Sequence, residues 1–174
     1  MSSKIKIAKI EAVAKKQDEN GQFTIGDEEQ QYAARFIEMF VGKFTDITAH
    51  ATSEDLEEYT AAALNALRDL QVRDYLLGLI NGDNITTVMV ALDHMMESAP
   101  KKYISAPASL LALTYYETGQ TERALNTLAK AKEDYPLASL LNRVFTAGWP
   151  AESFQQMRQE LHPKVVAGIF GEDN

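Results

Sequence analysis

Asp93, His94 and Glu97 place an imidazole among carboxylates within one helical turn. A carboxylate that accepts an imidazole N–H fixes the ring and raises its basicity, which is how a general base is prepared. No nucleophile and no second histidine stands near in sequence, so the reading here is a surface or half-buried histidine. His50 and His162 are the other two, and none of the three is paired at metal-ligand spacing. Glu54, Asp55, Glu57 and Glu58 gather four carboxylates. No loop of oxygen ligands with a sharp glycine turn accompanies them, and acids in an opening helical turn complement the dipole. Arg73-Asp74 and Arg143 are charged residues beside apolar runs, where local capping and ion pairing are their expected work. There is no Gly-rich phosphate loop, no G-x-S-x-G and no H-E-x-x-H. The expectation is a protein that is not an enzyme, with no catalytic residue, cofactor or metal.

Bulk properties narrow the class. The chain has 174 residues, 45% of them hydrophobic and only five prolines, which fits one folded domain rather than disorder. No apolar run approaches the roughly 18 residues of a membrane span, and residues 1–16 lack the apolar core of a signal peptide. Cysteine is absent, which excludes disulfides and thiolate–metal sites and fits a cytoplasmic protein. Residues 1–16 hold five lysines against Glu11, a local +4 that leaves −12 for the rest of a chain whose net charge is −8. An acidic body repels phosphate, so no direct nucleic-acid binding and no membrane contact is expected. The basic head reads as a solvated helix or strand face; the alternative is contact with an acidic partner or with the protein's own acidic surface.

The elements that would position these residues are helical. In residues 4–13 Ile5 and Ile7 alternate with lysines as in a strand, while Ile7, Ile10 and Ala14 fit a helix, the reading favoured by the Ala and Lys content; residues 1–26 form a basic segment and loop before a single helical domain over 27–174. A helix from about Asp27 to Lys43 presents Tyr32, Phe36, Met39, Phe40 and Phe44 as core. A linker follows at Thr45–Thr52. Next come a helix over Ser53–Leu70 with Leu56, Tyr59, Ala63, Leu67 and Leu70 recurring at three and four, another over Val72–Asn81, and another over Ile85–Glu97. A helix over Leu137–Thr146 follows the central hairpin. Pro150 opens the last, which His162-Pro163 ends near Leu161, with the tail folding back on the body.

The hairpin lies in Ala106–Pro136. Ala112, Tyr115, Gly119, Ala124, Leu128, Ala131 and Pro136 follow the small–aromatic–Gly–Ala–large–Ala–Pro order of a tetratricopeptide unit of roughly 34 residues. Ala112 and Ala124 would let two helices approach, Gly119 would end the first, and Pro136 would stop the second. No second copy is present, so the fold expected is an all-α, irregular helical domain of about eight helices with one tetratricopeptide-like hairpin. On that pattern Tyr115 faces inward near Leu128. Its neighbour Tyr116, about 100° away, shares an outer face with Ser109, Leu113 and Glu117, the candidate partner-binding residues.

Val72-Arg73-Asp74, Leu110-Leu111-Ala112-Leu113 with Gly119, Ala124-Leu125 through Tyr135-Pro136, Leu137-Ala138-Ser139-Leu140-Leu141, and Ala147-Gly148 before Pro150 occur in this order. In combination they resemble the C-terminal half of an actinobacterial family known only as a domain of unknown function, four-one-nine-two in its series. The resemblance covers about residues 65–150 and implies fold and source more than activity. The function expected is a non-enzymatic interaction module, an adaptor or regulator holding a partner peptide or helix. The alternative is a phage-encoded acidic inhibitor that blocks a basic site on a host protein by mimicking nucleic-acid charge.

Overall fold

The protein is described by a computed structural model covering residues 4–11 and 27–171. Every regular element among the described residues is helical. In chain order these are α1 (7–11), α2 (Asp27–Gly42), α3 (Phe44–His50), α4 (Ser53–Ala66), α5 (Leu70–Leu79) and α6 (Ile85–Ser98). A 3-10 turn at Lys101–Tyr103 leads into α7 (Ser105–Glu117), α8 (Thr121–Leu128), α9 (Pro136–Ala147) and α10 (Ala151–Phe170).

The fold is organised around α7, because its sequence is apolar on every side. Leu110, Leu111, Ala112 and Leu113 are consecutive, cover the full circumference of a helix, and are all completely buried. Helices α6, α8, α9 and α10 pack around it. Gly119, with φ of 82°, turns the chain from α7 into α8, while the Gln120 N–H returns to the Tyr115 carbonyl at 2.8 Å. Ala112 and Ala124 are both fully buried.

The other layer is built on α2. Its buried stripe is Ala34, Ile37, Phe40 and Val41, continued by Phe44. Of the expected aromatic face, Phe40 and Phe44 are buried and Phe36 packs half-buried against the core, while Tyr32 is 66% exposed and Met39 lies at the surface. The segment expected as a linker at Thr45–Thr52 is helical over α3. Phe44 anchors it by packing on Phe40 and on the His94 ring. Tyr59 and Leu70, expected inside, are exposed. For Leu70 the reason is that it stands at the first position of α5, just after Asp69, which caps the helix by accepting the Gln71 and Val72 backbone N–H groups at 2.8 and 3.0 Å. Residues 4–11 join the same core through buried Ile5 and Ile10, and the Ile5 N–H donates to the Ser98 carbonyl at 2.8 Å. Lys9 pairs with Glu57 at 3.2 Å, so part of the basic head rests on the protein's own acidic helix start.

The last helix does not stop at His162-Pro163. It continues to Phe170, with Pro163 inside it. Proline forgoes one backbone hydrogen bond, but the residues beyond it bury against α5 and α2. Ile169 is in the core, and Phe170 meets Tyr75 edge-on and carries the Arg35 guanidinium over its ring. On α5, Gly78 leaves the space that the His162 ring occupies. A Cβ there would stand 2.2 Å from His162 Nδ1 and 2.9 Å from its Cβ.

Two outcomes follow from this packing. Gly78→Ala is expected to lower stability by about 1–3 kcal/mol, the cost of overpacking a fitted contact, and His162→Ala in the same chain should recover much of it. Urea titration of the three variants reads this, and an undiminished Gly78→Ala midpoint would contradict it. The second concerns pH. Burial holds His94 and His162 below the usual histidine pKa, opposed by Asp93 and by Glu38 respectively. A depressed folded-state pKa means the unfolded chain binds protons first. Stability is therefore complete above about pH 6.5 and falls as pH drops from there through the depressed values. Thermal melts between neutral and mildly acidic pH should show this fall, and His162→Gln should flatten it.

Candidate functional site

The four residues expected to face a partner are inside the protein. Ser109 and Leu113 are completely buried, Tyr116 is 7% exposed, and the Glu117 side chain is 3% exposed. Tyr115 is buried as well, so the inner–outer contrast between the two tyrosines is absent. The physical reason is that α9 and α10 cover the outer face of α7. Tyr116 stacks on Phe145 of α9 with ring centroids 4.4 Å apart, and its hydroxyl donates to the Trp149 carbonyl. Ser109 Oγ turns back along its own helix to the Ser105 carbonyl at 2.7 Å. The groove a tetratricopeptide unit would offer here is closed.

Glu117 is closed over by Arg158 of α10. Arg158 Nη2 and Nε donate to the two carboxylate oxygens at 2.5 and 2.8 Å, and Nη1 donates to the Leu77 carbonyl at 3.1 Å and to the Ile80 carbonyl. Those carbonyls lie at the C-terminal end of α5, where helical acceptors have no partner in their own helix and the dipole favours a cation. Arg158 was not singled out by sequence reasoning. Its signal was available: Phe154, Arg158, His162, Val165 and Ile169 recur at three and four, so the arginine occupies a core-facing position.

The open polar chemistry lies on the other side, at the α8–α9 loop. Arg73 and Tyr135, 62 residues apart, come together there. Arg73 Nη1 donates to the Tyr135 hydroxyl at 3.1 Å, its guanidinium lies 5.4 Å from that ring's centroid, and Nε and Nη2 grip Asp74 Oδ1 at 3.0 and 2.9 Å. Burial works against this charge, yet Tyr135 and Asp74 together raise the Arg73 pKa above the ordinary arginine value. Two of the stretches that carried the family resemblance, Val72-Arg73-Asp74 and Tyr135-Pro136, thus meet at one point.

Two depressions flank this loop. One, of about 520 Å³, lies between α8 and α9, with Leu125, Leu128, Ala131 and Ala138 beneath and Glu133, Asn142 and Arg143 around it. The other, of about 260 Å³, lies between the end of α4, the 3-10 turn, the start of α7 and the loop itself, and includes Tyr135. Lys132 borders both. Its backbone N–H donates to Ser105 Oγ at 3.0 Å, which ties the loop to α7. Ser105 therefore holds the loop and does not cap α7.

His94 and Tyr75 are engaged structurally, whereas Glu29 Oε2 and His162 Nδ1 are buried without a hydrogen-bond partner among the described residues. His94 Nε2 is 2.9 Å from Thr60 Oγ1 in a half-buried site, and that hydroxyl also donates to the Leu56 carbonyl of its own helix at 2.7 Å. Tyr75 donates to Glu38 at 3.0 Å, and burial followed by that carboxylate pushes its pKa up to about 12. No cluster of three or more metal-ligating side chains occurs among the described residues, and no described helix is long and apolar enough to cross a membrane.

Fold and site define an all-α protein with a closed core and shallow surface clefts. The chain belongs to the family described as domain of unknown function (DUF4192), whose sequence model matches residues 4–152. The match begins at the N-terminal segment, so it extends well beyond the 65–150 stretch that carried the resemblance. No curated protein and no solved structure matches the chain.

Removing one partner of the Arg158–Glu117 pair leaves a buried charge unpaired. Arg158→Met is expected to cost about 3–5 kcal/mol, whereas Arg158→Met combined with Glu117→Leu should be markedly more stable than either single variant. A double-mutant cycle by chemical denaturation measures this, and simple additivity would show that the pair is not coupled.

Proposed function

We propose that the protein is a non-enzymatic, cytoplasmic interaction module, an adaptor or regulator that holds a peptide or helix of a protein partner on the surface around the α8–α9 loop. The observation that carries this reading is the pair of clefts that meet at Lys132, with apolar floors and polar rims. A peptide binds such a surface by seating side chains in successive depressions while the rim satisfies its polar groups. The loop between the clefts is held in place by the Lys132–Ser105 hydrogen bond and by the Arg73–Tyr135 contact, so little ordering is required on binding.

The reading needs neither a cofactor nor a direct contact with nucleic acid or membrane. The acidic body opposes phosphate chains and anionic lipid alike. It moves the partner surface from Ser109, Leu113, Tyr116 and Glu117 to the outer sides of α8 and α9.

Leu125 is 38% exposed and borders the larger cleft, so it separates binding from folding. Leu125→Glu is expected to keep stability within about 0.5 kcal/mol of the parent and to abolish capture of the protein's partner in a quantitative pull-down. Undiminished capture by a folded Leu125→Glu variant would remove this surface from consideration.

A further inference from the structure

His162 sits where its imidazole fits when neutral and not when charged. Gly78 of α5 leaves a hollow that the ring fills so closely that a Cβ at position 78 would stand 2.7 Å from His162 Cγ. Nδ1 is buried there and has no hydrogen-bond partner among the described residues. A neutral imidazole carries one N–H, and with no acceptor at Nδ1 that proton belongs on Nε2. A second proton must then go to Nδ1. It would be a buried donor with nothing to receive it, on a ring whose new charge has lost its water.

The titratable groups around the ring do not remedy this. From α5, Tyr75 presents its own ring, 5.5 Å away between centroids, and directs its hydroxyl to Glu38. From α2, Glu38 favours a charged imidazole, but burial outweighs it and holds the His162 pKa below the usual value. Arg35 of the same helix lies over Phe170 and opposes a further cation. On α10 itself Arg158, one turn earlier, is committed to Glu117 of α7.

The next residue is where α10 is weakest. Pro163 has no N–H to return to the Gln159 carbonyl. Only residues 164–170 remain beyond it, with Gly168 among them, far fewer than the roughly 12–15 that an isolated helix needs. Their order therefore comes from docking. Ile169 is buried, its carbonyl accepts from Gln31 Nε2 of α2 at 3.1 Å, and Phe170 meets the Tyr75 ring at 5.6 Å between centroids. We propose that His162 in its Gly78 socket is a proton-sensitive latch: protonation drives the ring out, and residues 163–170 pivot at Pro163 away from α2 and α5 while the rest of the fold stays closed. Arg158 lies before the pivot, so its contacts with Glu117 and with the end of α5 persist. The surface uncovered is apolar and centred on Tyr75, and the latch does not depend on the α8–α9 surface. The released state, with an ordinary histidine pKa of about 6.5, binds the proton more tightly than the latched one. Its population rises as pH falls below that value, by up to about tenfold per pH unit, and levels off below the depressed pKa of the latched ring.

NMR on the full chain tests this, following the His162 ring and the methyl groups of Ile169 and of Ile10, which is also buried but belongs to α1. Titration runs from about pH 7.5 to about pH 5, across the ordinary histidine range. The Ile169 methyl should leave its folded position with the midpoint at which His162 titrates, while Ile10 stays. His162→Gln, which cannot take up the proton, should keep Ile169 in place throughout. Pro163→Ala keeps the histidine and restores the helical N–H, so its release should move to lower pH. Titration of His162 with Ile169 unmoved overturns the proposal, as does release in His162→Gln at the parent's pH. Ile10 and Ile169 shifting together overturns it in favour of general acid unfolding. Release of Pro163→Ala at the parent's midpoint overturns the pivot, and the latch with it.

Discussion

The guanidinium of Arg158 holds the structure closed. Desolvating a cation is expensive, and at 2% side-chain exposure this one has almost no water left. The cost is offset because its donors meet a buried carboxylate on α7 and two carbonyls at the end of α5. One side chain therefore neutralises Glu117, completes the end of α5 and fixes α10 across both. The aliphatic and aromatic contacts along α10, from Phe154 to Ile169, add area, but the arginine sets register, because only one placement satisfies both the carboxylate and the carbonyls.

That placement decides where the molecule can meet anything else. With α10 fixed and Tyr116 stacked beneath α9, the α7 face that a helical hairpin would otherwise present is core. The surface proposed for recognition is instead the short loop between α8 and α9. The loop has few apolar anchors of its own and is positioned by polar contacts to α5 and α7. The stability of the surface is thus inherited from helices it does not belong to.

Helical class, the α7–α8 hairpin and the Gly119 turn were legible in the sequence because they follow from local rules: period and turn chemistry. The exposure of Tyr116 was not, and the failure is instructive. An inner and an outer face exist only on a helix with a polar side, and the run Leu110-Leu111-Ala112-Leu113 has none; that run was itself the sign of a helix surrounded on all sides. The continuation of α10 through Pro163 was missed because a local rule, proline as a stop, was outweighed by burial at Ile169 and Phe170. The candidate surface at Lys132 depends on residues from α4, α5, α7 and the 3-10 turn, and no spacing in one dimension brings those together. Part of it could be anticipated, since Arg73 and Tyr135 both lie in stretches that carried the family resemblance.

The position of Arg158 in the chain also bears on synthesis. A ribosome delivers α5 and α7 well before α10, and domains begin to fold as they emerge. Until α10 arrives, Glu117 has no cation, the carbonyls at the end of α5 have no donor, and the hollow beside Gly78 is open to water. Tyr75, which meets His162 and Phe170 of α10, lies on the face that this helix covers, so the contacts that shut this side of the core are the last of the described ones to be synthesised.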